Sequence, residues 1–209
     1  MEKYLVPYAY GEAELVEKRS RFIGRVWPVE DEAEALARLR EMREKHWDAT
    51  HNVYAYILRE NGVMRYSDDG EPGGTSGMPT LNVFRSANIE NVCCVITRYF
   101  GGVLLGTGGL VRAYSAAAKA ALDAAGVQEM ALWKSRLLGC SYAQYERVRR
   151  LLENREAVIE NTDFGTDVVI EALLREDKAP EFEKKLADLT AGTVSCEDAG
   201  ERFCGVRIR

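Results

Sequence analysis

Residues 97–114 are Thr97-Arg98-Tyr99-Phe100-Gly101-Gly102-Val103-Leu104-Leu105-Gly106-Thr107-Gly108-Gly109-Leu110-Val111-Arg112-Ala113-Tyr114, and this stretch decides the fold. The apolar run directly before it, residues 92–96, has the length and β-branched content of a buried strand. The alanine-rich residues that follow, 113–125, have strong helix propensity. The sequence therefore predicts a buried strand, a glycine-rich loop and a helix in succession.

The glycine-rich loop has the composition of an anion-binding site. Five of the nine residues from 101 to 109 are glycine, which permits positive φ and close backbone approach. A helix start attracts phosphate or carboxylate because its first N–H groups are unpaired at the positive end of the dipole. A tight turn that lets the helix pack closely is an equally good interpretation. The candidate anion- or nucleic-acid-binding residues are Arg98, Gly101, Gly102, Gly106, Thr107, Gly108, Gly109, Arg112, Ser115 and Lys119.

A second glycine-rich stretch, residues 66–79, carries the acidic side chains of the candidate site. Asp68, Asp69 and Glu71 are candidate Mg²⁺ ligands, although Asp and Gly are also ordinary turn residues. His51 is either a general base or a hydrogen-bonded structural residue. Because dense charges need water or arginine partners, we expect Arg98 to pair with one of these carboxylates and the two loops to share a cleft. The candidates for this acidic loop and cleft are His51, Asp68, Asp69, Glu71 and Thr75.

The global composition gives no indication of a membrane protein or of a strongly basic nucleic-acid-binding module. The net charge is −5, and no apolar run approaches the roughly 20 residues of a membrane-spanning helix. The first residues lack the basic and apolar regions of a signal peptide. Five cysteines without Cys-x-x-Cys spacing favour reduced thiols and a cytoplasmic protein. We expect no cofactor.

The order of predicted elements divides the chain into two domains of an α+β protein. Strands, a first helix and the glycine-rich region occupy residues 1–130. From residue 131 to 209 the pattern restarts as β-α-β-β-α-β, with its last strand segments at 193–196 and 203–208, and this is the order of a ferredoxin-like domain. We therefore expect one domain over 1–130 and a ferredoxin-like domain over 131–209.

Several ordered motifs resemble the signature of the IMPACT/YigZ family. They are His51-Asn52-Val53-Tyr54-Ala55-Tyr56, Ser67-Asp68-Asp69-Gly70-Glu71-Pro72, Gly74-Thr75-Ser76-Gly77-Met78-Pro79, and the stretches 97–102 and 105–114 quoted above. The resemblance implies an N-terminal ribosomal-protein-like α/β sandwich, as in domain IV of elongation factor G. It also implies a C-terminal ferredoxin-like domain similar to domain V of that factor. Leu105 stands where the family often has lysine, which removes one phosphate contact.

Two classes of function remain open at this point. The first is a translation-associated regulatory protein that contacts RNA or a ribosome-associated protein through the glycine-rich loop. The second is a small phosphate-directed enzyme, metal-dependent or not, that uses the acidic loop and His51. No Walker lysine or nucleophile-elbow serine supports the second class. We prefer the non-enzymatic class, and fold analogy alone does not decide between them.

Overall fold

The structure, a computed structural model, describes residues 3–208 and is α+β. It divides into two compact units. One consists of Tyr4–Glu129 together with the residues from Gly205 onward, and the other is formed mainly by Met130–Cys204. Among the described helices, none is long and apolar enough to cross a membrane.

The first unit is built on a five-stranded antiparallel sheet with the order β2-β3-β6-β4-β5. Its strands and helices are β1 (Tyr4–Pro7), β2 (Gly11–Glu17), β3 (Ser20–Pro28), α1 (Glu32–Lys45), β4 (His51–Leu58), β5 (Val63–Ser67), α2 (Gly77–Ser86), β6 (Val92–Tyr99) and α3 (Thr107–Ala125). The predicted buried strand is confirmed, because it forms β6 at the centre of this sheet.

The side chains of β6 contribute to a separate core on each face of the sheet. Cys94 and Ile96 belong to the core that contains the buried residues of α2 and α3. Cys93 and Val95 belong to the core that contains the buried residues of α1. This alternation follows from the two-residue period of a strand. A strand that is covered on both faces must be apolar throughout, which explains the continuous run 92–96.

Helix α3 packs against the sheet through small side chains. The apolar residues that recur at helical spacing form a stripe, and every member of it is buried: Leu110, Tyr114, Ala117, Ala118, Ala121, Leu122 and Ala125. A β-carbon on Gly24 of β3 would lie only 2.6 Å from the Ala117 carbonyl oxygen. The helix therefore approaches the strand at backbone distance, and this fixes where its N-terminus lies.

The second unit contains the element order β-α-β-β-α-β. Its elements are β7 (Val127–Cys140), α4 (Tyr142–Glu153), β8 (Val158–Phe164), β9 (Val168–Arg175), α5 (Ala179–Thr190) and β10 (Ser195–Arg207). The pairings give the strand order β10-β7-β9-β8. Buried side chains of α4 and α5 pack with those of the strands in one core. The last strand, expected in segments at 193–196 and 203–208, is one continuous strand, β10, that also runs through the charged residues between those segments.

Candidate functional site

A cleft of about 390 Å³ lies beside the start of α3. It is lined by Thr50, His51, Gly70, Glu71, Pro72, Arg98, Phe100, Leu104, Leu105, Gly106, Thr107 and Leu110. Residues 70–72 come from the acidic loop and residues 104–107 from the glycine-rich loop. The two loops therefore share a cleft, as expected from their charges.

Glu71 is the buried charge at the centre of this cleft. Its side chain is 2% exposed, and its Oε1 atom lies 2.6 Å from Arg98 Nη1 and 2.6 Å from the hydroxyl oxygen of Tyr114. Both groups donate to the carboxylate, which gives the buried charge the partners that it requires. The expected pairing of Arg98 with an acidic-loop carboxylate is confirmed. Burial, then the bond to Glu71, raises the pKa of Tyr114 far above its ordinary value, so its hydroxyl stays protonated.

Arg98 is held between two aromatic rings. Its guanidinium carbon lies 5.3 Å from the ring centre of Phe22 and 5.5 Å from that of Phe100. Its Nη2 atom donates to Ser20 Oγ at 3.4 Å. The Nε atom of Arg98 is buried and has no hydrogen-bond partner among residues 3–208. One donor of this cation is therefore unused.

His51 has a defined tautomer. Its Nδ1 atom lies 2.7 Å from the backbone carbonyl oxygen of Asp69. Because a carbonyl can only accept, Nδ1 carries a proton, and in the neutral ring Nε2 is an acceptor. Nε2 lies 3.8 Å from Glu71 Oε2, which is too far for a hydrogen bond. Two acceptor atoms thus lie close together without a donor between them.

The start of α3 lies at the same cleft, which Gly106 and Thr107 line and Gly108, Gly109 and Arg112 do not. Gly106 precedes the helix with φ 74°, a conformation that favours glycine. The first bond of the helix runs from Leu110 N to Gly106 O at 3.0 Å. The N–H groups of Thr107, Gly108 and Gly109 lie before that bond and have no carbonyl partner within the helix. They form the positive end of a 19-residue helix.

Asp68 stabilises the start of α2. Its carboxylate accepts from the backbone N–H groups of Gly74 and Gly77 at 2.8 Å each and of Ser76 at 3.1 Å, and from Ser76 Oγ at 2.7 Å. Burial on its own raises the pKa of Asp68, but these four hydrogen bonds outweigh it and lower the pKa below its ordinary value. The Asp68 carboxylate therefore caps the N-terminus of α2, although Asp68 is not next to that helix in the sequence.

The other two acidic-loop candidates are also engaged in the fold. Asp69 accepts from the backbone N–H of Asn52 at 2.7 Å and from Arg43 at 2.9 Å. Thr75 Oγ1 donates to the carbonyl of Pro72 at 2.6 Å. Within residues 3–208, no three His, Cys, Asp or Glu side chains are grouped so as to hold a metal ion. The structure thus gives no support to a metal site among the candidate carboxylates.

The Asp68→Asn variant is expected to be less stable at neutral pH. Loss of the charge weakens four hydrogen bonds, which lowers the free energy of unfolding by about 1–3 kcal/mol. Because the pKa of Asp68 is lower in the folded state, this stabilisation is present above the unfolded pKa of about 3.9 and disappears as the pH falls through the folded value. Urea denaturation at a series of pH values measures it.

The control for this variant is Asp188→Asn, which removes an exposed carboxylate from α5. Its free energy of unfolding should differ from that of the wild type by no more than about 0.5 kcal/mol. A difference between wild type and Asp68→Asn that persists undiminished at pH 2 would contradict the role given to the Asp68 charge.

Comparison with known proteins places this cleft within a defined domain. Residues 18–122 match the Impact N-terminal domain, and residues 138–193 match a domain of unknown function. The chain is 33% identical over 193 residues to IMPACT family member YvyE of Bacillus subtilis, with 92% of this chain and 89% of the relative covered. The chain belongs to the IMPACT family. The predicted resemblance is confirmed.

Two further comparisons extend over nearly the whole chain. IMPACT family member YigZ of Escherichia coli is 34% identical over 197 residues, which covers 93% of this chain and 97% of the relative. A crystal structure of a hypothetical protein superposes with a TM-score of 0.60 at 33% identity, and the match covers 94% of this chain and 97% of that one. All the residues that line the cleft lie within the matched Impact N-terminal domain.

Some of the predicted anion-site residues of this IMPACT-family chain lie elsewhere. Ser115 and Lys119 line a second groove, of about 570 Å³, together with residues of α2. Lys119 pairs with Asp123 at 2.6 Å. Ser115 and Lys119 therefore do not line the cleft, and that they extend the anion-binding face of Arg112 along α3 stays a prediction.

The glycines of the loop have different surroundings. A β-carbon on Gly101 would lie 2.1 Å from the carbonyl carbon of Arg19, so glycine is required there for packing. Gly102 has φ 79°, and nothing lies within 4 Å of where its β-carbon would be. At Gly108 a β-carbon would lie 3.6 Å from Arg112 Nη1, which places Arg112 beside the first turn of α3.

Several site residues of the IMPACT domain were not identified from sequence. Tyr114 was assigned only to the apolar stripe, and its hydroxyl contact with Glu71 has no signal in the sequence. Phe100 and Leu104 are 45% and 81% exposed, respectively, and both line the cleft. The sequence allows Phe100 to be either a core residue or a stacking platform for a base. Leu104 was not identified, and a large apolar side chain beside a glycine-rich loop is a signal that could have identified it.

Proposed function

We propose that this IMPACT-family protein is a translation-associated regulatory protein that binds RNA through the cleft at the start of α3. One observation carries the proposal. The first turn of α3, which has no side-chain cap, begins at a cleft that is lined by Arg98, and the buried Nε atom of Arg98 has no hydrogen-bond partner in the described chain. Such a combination suits an anionic ligand that also carries hydrogen-bonding groups.

Phosphate is the anion that this geometry suits best. The N–H groups of Thr107, Gly108 and Gly109 precede the first helical bond and carry the positive end of the α3 dipole. Arg112 lies beside Gly108 at this end of the helix and can add a charge-assisted hydrogen bond to a phosphate oxygen there, although neither residue lines the cleft itself. Since the net charge of the chain is −5, binding is local to this turn and is not a broad electrostatic coating.

The apolar rim of the cleft suits the bases of a nucleic acid. Phe100 presents a partly exposed ring, and Leu104 is 81% exposed next to it in the loop. Bases stack on exposed aromatic rings without strong sequence preference, and a positive turn nearby holds the backbone. The two features together favour single-stranded RNA over a compact anion such as free phosphate.

The proposed role in translation rests on the family resemblance and on the fold that the resemblance implies. The strand order β10-β7-β9-β8 of the second unit supports a ferredoxin-like assignment for residues 131–209. The five-stranded sheet with α2 and α3 on one face supports the elongation-factor-like assignment for residues 1–130. We do not propose the metal-dependent enzyme, because Asp68 and Asp69 are engaged with backbone N–H groups and Arg43.

The Gly108→Glu variant tests the anion site directly. The new carboxylate places a like charge beside the phosphate, so affinity for single-stranded RNA should fall at least about tenfold. An acidic residue in the first turn of a helix is favourable, so the fold is retained. Gly108→Lys is the matched control: it adds a side chain of similar length with the opposite charge and should bind RNA at least as well as the wild type.

The Arg112→Ala variant measures one contact of the same site. RNA titration at two salt concentrations should show weaker binding and a salt slope lower by about one phosphate contact. An unchanged slope would show that Arg112 does not touch the ligand. If the wild type shows no salt-dependent binding to RNA, the proposed function is wrong.

A further inference from the structure

The cleft contains a pair of acceptor atoms with no donor. His51 Nε2 and Glu71 Oε2 lie 3.8 Å apart. The other ring nitrogen of His51 donates to the Asp69 carbonyl, and the other carboxylate oxygen of Glu71 receives both Arg98 and Tyr114. Both hydrogen bonds that Glu71 accepts in the described part of the chain end on Oε1, and Glu71 and His51 both line the cleft.

The charges around this pair determine which kind of hydrogen-bond donor can bind to it. The carboxylate of Glu71 is already paired with Arg98 at 2.6 Å. An ammonium group bound at this pair would be repelled by the nearby Arg98 cation, and no unpaired carboxylate would offset that repulsion. A neutral hydroxyl can donate its hydrogen to one of the two acceptors at no such cost.

We propose that His51 and Glu71 recognise a ribose hydroxyl of the bound RNA and so make the cleft selective for RNA over DNA. The inference rests on the proposed function and adds which kind of nucleic acid the cleft selects. The phosphate is held by the first turn of α3, and Gly106 and Thr107 of that turn line the same cleft as His51 and Glu71. A sugar joined to that phosphate would occupy the cleft in which His51 and Glu71 lie.

The experiment compares single-stranded oligonucleotides of one sequence that differ only at the 2′ position. The first is RNA, and the second is 2′-fluoro RNA, which keeps an RNA-like sugar conformation but has no 2′ hydrogen-bond donor. The wild type should bind the RNA about tenfold more tightly than the 2′-fluoro form, as expected for a buried acceptor left without its donor. Fluorescence anisotropy at constant salt measures both.

The His51→Asn variant assigns that preference to its residue. The asparagine amide can still donate to the Asp69 carbonyl, but the Nε2 acceptor is removed, so the ratio of the two affinities should fall to about one or two. His46→Asn is the matched control, since His46 bonds to Tyr99 through Nδ1 at 2.9 Å and does not line the cleft. It should keep the wild-type ratio.

The outcomes separate this inference from the proposed function. Equal, salt-dependent binding of both oligonucleotides by the wild type overturns ribose recognition and leaves the phosphate site intact. A preference that survives in His51→Asn, or that is lost equally in His46→Asn, overturns the assignment to His51. If neither oligonucleotide binds, the proposed function itself fails, and the inference fails with it.

Discussion

The Glu71→Ala variant is expected to lose about 3–5 kcal/mol in free energy of unfolding, the loss typical of a broken buried ion pair. The reason is that the change leaves the Arg98 guanidinium in a site that is 5% exposed, without the carboxylate that accompanies it. It also removes the acceptor for the Tyr114 hydroxyl. Urea denaturation without RNA measures this loss, with the m-value checked for constancy between variants.

Two further variants divide this effect into its parts. Tyr114→Phe removes only one hydrogen bond to Glu71 and should cost about 1 kcal/mol. Replacing Glu71 and Arg98 together by methionine removes both charges and should recover much of the loss, because the uncompensated cation is gone. A double variant as unstable as Glu71→Ala would falsify the explanation that the cost comes from the unpaired Arg98.

The Gly24→Ala variant is expected to lose about 3 kcal/mol, the upper end of the range for overpacking. The added β-carbon would lie 2.6 Å from the Ala117 carbonyl oxygen and 3.1 Å from its carbon. These are backbone atoms of α3, so they cannot move away as the end of a flexible side chain could. The helix must shift as a body, which disturbs its packing along the whole sheet.

Gly73→Ala is the control for this prediction because it makes the same chemical change in open space. No atom lies within 4 Å of the position that its β-carbon would take, and its φ is not in the left-handed region. Its stability should stay within about 0.5 kcal/mol of the wild type. Equal losses for the two variants would show that the effect comes from the removal of glycine and not from close packing.

The architecture was largely predictable because its signals are local. The run 92–96 is apolar throughout since β6 is covered on both faces, and the stripe of α3 repeats with the helical period. The strand β10 was not predicted as one element, because residues 197–202 are mostly charged and exposed. A solvated strand has no apolar alternation to identify it.

The candidate site was only partly predictable because its contacts join distant parts of the chain. The composition of the two loops was enough to expect a shared cleft and a pair between Arg98 and a carboxylate. The composition could not show which carboxylate pairs with Arg98. Asp68 and Glu71 are only three residues apart in the sequence, yet they form hydrogen bonds with different elements of the fold. The helical spacing of Arg112, Ser115 and Lys119 predicts that they share one side of α3, but it could not show that Lys119 lines a different groove from the cleft.

The alanines on the buried face of α3 have a consequence for the entropy of the site. An alanine side chain has no rotamer to lose on burial, whereas leucine or methionine in its place would lose side-chain freedom. Four of these buried alanines, Ala117, Ala118, Ala121 and Ala125, therefore add almost nothing to the conformational cost of fixing the helix on the sheet. Their closeness to β3 also leaves little room for the helix to slide or rock. The amide groups at its first turn are thus held in position before any ligand arrives, and little further ordering is required when an anion binds.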